Sequence, residues 1–309
     1  MPSINKSFVT NFTTLNISNP SVSVPFYEKH FNCKLLKTEE LPQKHQVIYY
    51  LGIDDVNHPE YNKPVFKRTG VLALVHDKTI KAVVNGNADP YRGFGHICFS
   101  VDDLFNFCKY LESDPSIQFK KKLTDGRQKN IAFVLDPDQY WIELIENAID
   151  KEVASATDLG FRLSSLRLNH EMIRVKDPVK SIKFYSETLG MKLFSHRAFE
   201  DAKFTLYFLG YEHDDKYVQD SEDKVFQAGR ESILELTHNW GTENDDSFEG
   251  YFVGDSETQG YANITVSCDD VSKYVDELKK EGKSVDFDGK VAQLVDPDGY
   301  KVQVWSGKL

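Results

Sequence analysis

At 309 residues the chain exceeds one typical domain, and 40% hydrophobic with 28% charged residues is the make-up of a soluble, folded protein rather than a disordered one. Its net charge of −11 argues against nucleic acid and anionic membranes, whose phosphates are bound by clustered Lys and Arg. No apolar run approaches the ~20 residues of a membrane span. Met1 to Thr10 lacks a charged-then-apolar secretory pattern, and the four cysteines form no CxxC, so reduced, inert thiols and a cytoplasmic location are expected.

In chain order, Asn19 and Pro20 open a helix carrying Phe26 and Tyr27. The polar stretch 54–63 reads as a loop. His96 to Val101 reads as a strand, and Asp102 or Asp103 caps a helix with Leu104, Cys108 and Leu111. Ile131 to Leu135 and Tyr140 to Ile145 are predicted strands. A polar linker without clear period lies near 147–164.

The second half repeats this order. Met172 to Val175 is a strand, Asp177 an N-cap and Pro178 the first helical residue. Ile182, Tyr185 and Leu189 continue the helix, and Gly190 closes it. Lys203 to Leu209 and Ser232 to His238 are strands, with 213–230 a loop between them. Tyr261 to Ser267 is a strand, and Asp269 or Asp270 caps a helix with Val271, Tyr274 and Leu278. Val291 to Val295 and Tyr300 to Trp305 are strands joined by the turn Asp296-Pro297-Asp298-Gly299.

These elements make four βαβββ-like units in two tandem domains, 8–148 and 165–307, an α+β arrangement with unit boundaries near 89 and 257. Each half, at roughly 150 residues, is long enough to bury a core of its own.

The motifs themselves are duplicated at a spacing of about 160 residues. Asn169 to Pro178 recurs as Asn11 to Pro20, Leu234 to Asn239 as Leu72 to Asp77, Gly93 to His96 as Gly260 to Asn263, and Asp136 to Glu143 as Asp296 to Gln303. His170 and Glu235 survive only in the second copy, His96 and Glu143 only in the first. Two imidazoles and two carboxylates remain, enough for one metal site. Their counterparts Phe12, Ala73, Asn263 and Gln303 cannot together hold a divalent cation.

Strand parity sharpens the set, because side chains alternate faces. Glu235, Thr237 and Asn239 share a face, as do His170, Met172 and Arg174. Glu143 shares its face with Trp141. His238 falls on the opposite face from Glu235 and reads as structural. A lone strand histidine is a structural or surface residue about nine times in ten, so His30, His45, His58, His76, His196 and His213 stay unassigned.

Met172 to Pro178, Lys203 to Tyr211, Arg92 to Ile97, Asp136 to Glu143 and above all the run Leu234-Glu235-Leu236-Thr237-His238-Asn239-Trp240-Gly241-Thr242-Glu243 closely resemble glyoxalase I, in the fused two-half form found in fungi. The resemblance covers nearly all of residues 8–307. It implies the vicinal oxygen chelate fold of βαβββ modules, paired into curved mixed sheets. It implies one composite site, with His170 and Glu235 from the third module meeting His96 and Glu143 from the second as metal ligands. Glu143 would be the main base and Glu235 a ligand and second base. Arg92, Lys121, Arg174 and Asn239 match the glutathione-binding positions, with Thr237 on the same face and Arg127 adding charge at the Asp125-Gly126 turn. Leu206, Phe208, Ile131 and Phe133 would enclose the aldehyde-derived group.

The implied reaction turns the methylglyoxal–glutathione hemithioacetal into S-lactoylglutathione through an enediolate, using Zn2+, or alternatively Ni2+ or Co2+, one ion per chain. A monomer is expected, since fused halves supply their own pairing. Gln139 departs from the usual Gly of the Asp-Pro-Asp-Gly turn, and Gln128 stands where an apolar pocket residue is common. Two other classes compete: a catalytically silent protein of the same fold, and an extradiol dioxygenase. The intact quartet opposes the first. The second Glu and the Arg and Asn anchors oppose the second, whose iron takes two His and one carboxylate.

Overall fold

The computed structural model describes residues 7–126, 128–147, 149 and 158–306. The first module is β1 (Val9–Asn16), α1 (Pro20–Phe31), β2 (Cys33–Leu41), β3 (Gln46–Ile53) and β4 (Val71–Asp77), followed by the short β5 (Ala82–Val83). The second is β6 (Phe94–Val101), α2 (Leu104–Glu112), β7 (Gln118–Lys121), β8 (Ala132–Leu135) and β9 (Trp141–Glu146). The third is β10 (Arg167–Val175), α3 (Pro178–Lys183), β11 (Lys192–Phe199), β12 (Phe204–Gly210), α4 (Lys224–Ala228) and β13 (Ile233–Asn239). After β14 (Thr258–Gln259) comes the fourth: β15 (Tyr261–Cys268), α5 (Val271–Lys280), β16 (Asp286–Phe287), β17 (Val291–Val295) and β18 (Lys301–Ser306).

The expected α+β class and four-module order are met. Asn19, Asp103, Asp177 and Asp270 cap their helices by accepting from backbone N–H groups one turn on. The helix after Pro178 is less regular than its spacing predicts. Its last turn, Phe184–Thr188, is π-helical, and Gly190 then takes a φ of 75°. The segment 213–230, expected as a loop, contains α4. Part of the expected linker, Ala148 and 150–157, lies outside the described residues.

The modules do not pair within their own halves. One sheet runs β16-β17-β18-β15-β1-β4-β3-β2, joining the fourth module to the first. The other runs β11-β12-β13-β10-β6-β9-β8-β7, joining the third to the second. Each half therefore gives one module to each sheet, and separate cores for the halves do not form. One continuous apolar cluster extends from Phe8 through Phe99 and Tyr185 to Val304. The physical reason is the placement of the helices. Phe31 of α1 packs against Phe99 of β6, ring centroids 4.6 Å apart, so a helix from one sheet's module covers the other sheet. The cysteines Cys33, Cys98, Cys108 and Cys268 are free and buried, as expected.

A matched pair of hydrogen bonds ties each half together. Tyr27 of α1 donates to Asp136 at 2.8 Å, and Tyr185 donates to Asp296 at 3.0 Å. Both aspartates also accept from backbone N–H groups of their turns. Burial nevertheless lifts both carboxyls to about 7. Each binds its proton more tightly folded than unfolded, so the stability it contributes is complete below about pH 4 and is lost as pH rises through 7. The double variant Asp136→Asn/Asp296→Asn keeps an acceptor for the turn and cannot ionise. Its urea midpoint should fall less steeply than that of the parent protein between about pH 4 and pH 8. Equal slopes would show that these carboxyls do not titrate in that range.

Candidate metal centre at the seam of the second sheet

β6 and β10 pair antiparallel at the middle of the sheet, setting Met172 opposite His96 and Cys98 opposite His170. β13 lies parallel to β10 and sets Glu235 beside Met172. β9 lies parallel to β6 and sets Glu143 beside Cys98. Alternation along the strands turns His96, Glu143, His170 and Glu235 to one face. A Cβ at Gly95 would meet the end of the flexible Met172 side chain, so the glycine leaves that thioether room beside the ligands.

All four residues are buried, and one ligand atom from each lies within 4.8 Å of the others. His170 Nε2 is 3.0 Å from Glu143 and 3.1 Å from Glu235. His96 Nε2 is 3.3 Å from Glu143 and 3.9 Å from Glu235. The two Nε2 atoms are 3.3 Å apart. Two nitrogens each about 2.0–2.1 Å from one ion stand about 2.9–3.4 Å apart at angles of about 90–110°, so the donor set fits a single divalent cation.

The electrostatics ask for positive charge at this point. Burial works to discharge His170, but Cys98, Glu143 and Glu235 hold its pKa well above the ordinary value. Burial works to protonate Glu143, but His96 and His170 hold its carboxyl well below the usual range.

His170 is aimed by a residue that the sequence left out of the site. Its Nδ1 lies 2.7 Å from the Asn169 side-chain oxygen, an acceptor only, so Nδ1 carries the proton and Nε2 faces the carboxylates. The Asn169 amide in turn donates to the carbonyls of Gln227 and Arg230, both at 2.8 Å. α4, in the segment expected as a loop, thus braces the metal-facing histidine.

Several of the residues expected to contact substrate stand beside these ligands. Phe208 packs edge-on to His170 and Phe133 edge-on to His96, with ring centroids 5.9 and 5.5 Å apart. Leu206 lies half-buried in the small cluster around Phe208. Thr237 donates to Glu235 at 3.2 Å, and Asn239 donates to the Tyr251 hydroxyl at 3.0 Å. Arg92 is half-exposed and pairs with Asp89 at 3.2 Å.

Two of the cations are already engaged. Arg174 Nη1 donates to the carbonyls of Gly86, Gly93 and Phe94, and Nη2 to Asn87, so it holds the loop before β6. Lys121 donates to the carbonyls of Gln128 and Ile131, fixing the turn in front of β8, and Ile131 takes part through its backbone. Arg127 lies outside the described residues.

One cation was missed. Arg197 on β11 lies opposite Leu206, stacks over Phe208 at 4.7 Å, and donates to Gln227 at 2.7 Å. It is close enough to Glu235 and Glu143 for their charges to act on it. Reading β11 as a strand would have placed Arg197 on the Leu206 face by parity alone.

A family model of the Glyoxalase/Bleomycin resistance protein/Dioxygenase superfamily matches the chain twice, over residues 10–144 and 167–304. Glyoxalase I of Saccharomyces cerevisiae is 42% identical over 315 residues, covering 96% of this chain and 92% of the relative. The chain belongs to the glyoxalase I family. Lactoylglutathione lyase of Schizosaccharomyces pombe is 37% identical over 96% of both chains. Glyoxalase I from Zea mays has the same fold, with a TM-score of 0.70 at 24% identity over 97% of this chain and 93% of that one. Membership of a glyoxalase I family agrees with a buried two-His, two-Glu centre spanning two modules.

Removing the Asn169 acceptor should loosen the centre without unfolding the sheet. Asn169→Ala is expected to lower metal affinity about 10–100-fold, read by competition with a chromophoric chelator on protein of unchanged circular dichroism. Unaltered affinity would mean that Asn169 does not orient the ligand.

Proposed function

We propose that this centre makes the chain a lactoylglutathione lyase, isomerising the methylglyoxal–glutathione hemithioacetal to S-lactoylglutathione at one site per chain. The observation that carries the reading is the convergence of His96, Glu143, His170 and Glu235 in one sheet, with Phe12, Ala73, Asn263 and Gln303 at the matching places of the other. The four residues would hold the ion. When bound it supplies Lewis acidity, which eases removal of a proton beside a carbonyl. Zinc suits the mixed nitrogen and oxygen donors, with nickel or cobalt as alternatives.

Glu143 takes the C1 proton and returns it at C2. Its carboxylate lies beside the apolar wall of Phe133 that keeps water away. Glu235 completes the charge balance and is steadied by Thr237. Arg92 and Asn239 grip the carboxylate end of the glutathione part, and Arg174 shapes the loop from which Arg92 projects. Arg197 faces both glutamates and favours negative charge as it develops on the substrate. The fused halves complete the site within one chain, so a monomer suffices, and we assign the activity to the cytoplasm.

Elemental analysis of active protein should give one metal equivalent per chain. Glu143→Gln should lose at least ~10²–10⁴-fold in turnover, while Gln303→Glu, among neutral neighbours, should change little. Retained activity in the first with loss in the second would assign the live site to the wrong sheet. Kinetics should separate the two arginines. Arg92→Ala should raise KM by about tenfold or more, and Arg197→Met should lower kcat by about tenfold or more at near-constant KM. The reverse pattern would exchange their roles.

A further inference from the structure

The four decayed positions of the first sheet are not packed shut. A cavity of 570 Å³ opens over Phe12, Ala73, Asn263 and Gln303, inside the about 300–1,000 Å³ range of small-molecule sites. Its floor is aromatic. Phe12 lies 5.1 Å from Tyr50 and 5.6 Å from Trp305 between ring centroids.

Several of the polar groups that line it are donors without a protein acceptor among the described residues. Asn263 Oδ1 accepts from Thr14 at 3.2 Å and Thr265 at 2.9 Å, which turns its amide hydrogens away with no protein acceptor among the described residues. At the rim the carboxylates are spoken for. Asp77 accepts from Gln46 and Thr79, Glu39 from the Tyr50 hydroxyl, and Asp288 from the backbone N–H of Lys290 and Val291. The ammonium groups of Lys44, Lys290 and Lys301 line the same cavity without a hydrogen bond or ion pair among the described residues. Lys44 and Lys290 act on Asp288 only through space. The lining holds as many carboxylates as lysines, but none of the carboxylates sits at its heart, unlike the metal centre. Two carboxylates at its heart have given way to neutral side chains, and unpaired cations stand at its mouth.

We propose that this cavity is a metal-free binding site for an aromatic carboxylate. The ring lies over Phe12 and Trp305, and the carboxylate is drawn by the lysine rim and the Asn263 amide. The proposal stands on the first sheet's own geometry, independently of the activity assigned to the second.

The probe is 2-naphthoate, titrated calorimetrically into the full chain with and without saturating S-hexylglutathione. One saturable equivalent is expected, unaffected by S-hexylglutathione. The uncharged 2-naphthylmethanol should bind at least about tenfold more weakly, and the surface variant Lys290→Glu/Lys301→Glu should weaken naphthoate by about tenfold or more. Asn263→Asp, which puts a negative charge on the floor, should do the same. No saturable binding at millimolar naphthoate would overturn the proposal. So would displacement by S-hexylglutathione, equal affinity for the alcohol, or indifference to these variants. Isomerase activity of the lysine variant should match the parent protein, which separates failure of this site from failure of the metal centre.

Discussion

The candidate active site depends on the antiparallel pairing of β6 with β10. These strands come from different halves of the chain, and His96 and His170 stand on them two positions apart across the seam. The outer strands then fix the carboxylates, because β9 runs parallel to β6 and β13 parallel to β10. A slip of one residue at the seam would turn His170 into the core and Glu171 into the site. The core face is made of side chains that cannot follow such a slip: Ile97, Ile173, Leu234 and Leu236 are fully buried. Apolar packing on one face therefore sets the register of the metal ligands on the other.

Register brings the ligands together, but it also creates an electrostatic debt. Glu143 and Glu235 share a buried space, and like charges at that spacing are unfavourable unless a cation lies among them. The surroundings support the charged form in different ways. Asn169 orients one imidazole, Thr237 donates to one carboxylate, and Arg197 adds a nearby cation. Gln227 connects two of these devices, holding Asn169 through its backbone and Arg197 through its side chain. The short helix α4 is therefore a support for chemistry that occurs on strands it does not belong to.

The strongest sequence signals were those that repeat. The complementary loss of ligands between the two copies, with strand parity, was enough to select His96, Glu143, His170 and Glu235, and the structure brings all four together. What was hidden is side-chain reach and irregular local structure. Arg197 escaped because β11 has no clean alternation of apolar and polar residues in Lys192–Phe199. Asn169 escaped because strand parity assigns it to the face opposite His170, whereas the pairing of β10 with β6 shifts register at this residue and its side-chain oxygen reaches Nδ1. The engagement of Arg174 and Lys121 with backbone carbonyls was equally invisible, since loop carbonyls have no sequence signature. The idea of two separate cores failed for a topological reason: nothing in a local pattern says which module a strand will choose as its neighbour.

That choice of neighbour decides what the scattered losses mean. The first half has lost the ligands of its first module and the second half those of its last, and these two modules share one sheet. Both losses fall on the same centre and leave the other whole. Had the first and third modules lost theirs instead, each sheet would hold one His and one Glu, and neither could surround a cation. The same reasoning bears on the halves taken singly. Copies of residues 8–148 pairing first module to second would assemble Phe12, Ala73, His96 and Glu143, and copies of 165–307 would assemble His170, Glu235, Asn263 and Gln303. Neither set has more than two of the four ligands. The covalent joining of the halves is thus part of the site itself, since it makes the pairing of unlike modules intramolecular and gives the seam a high effective concentration.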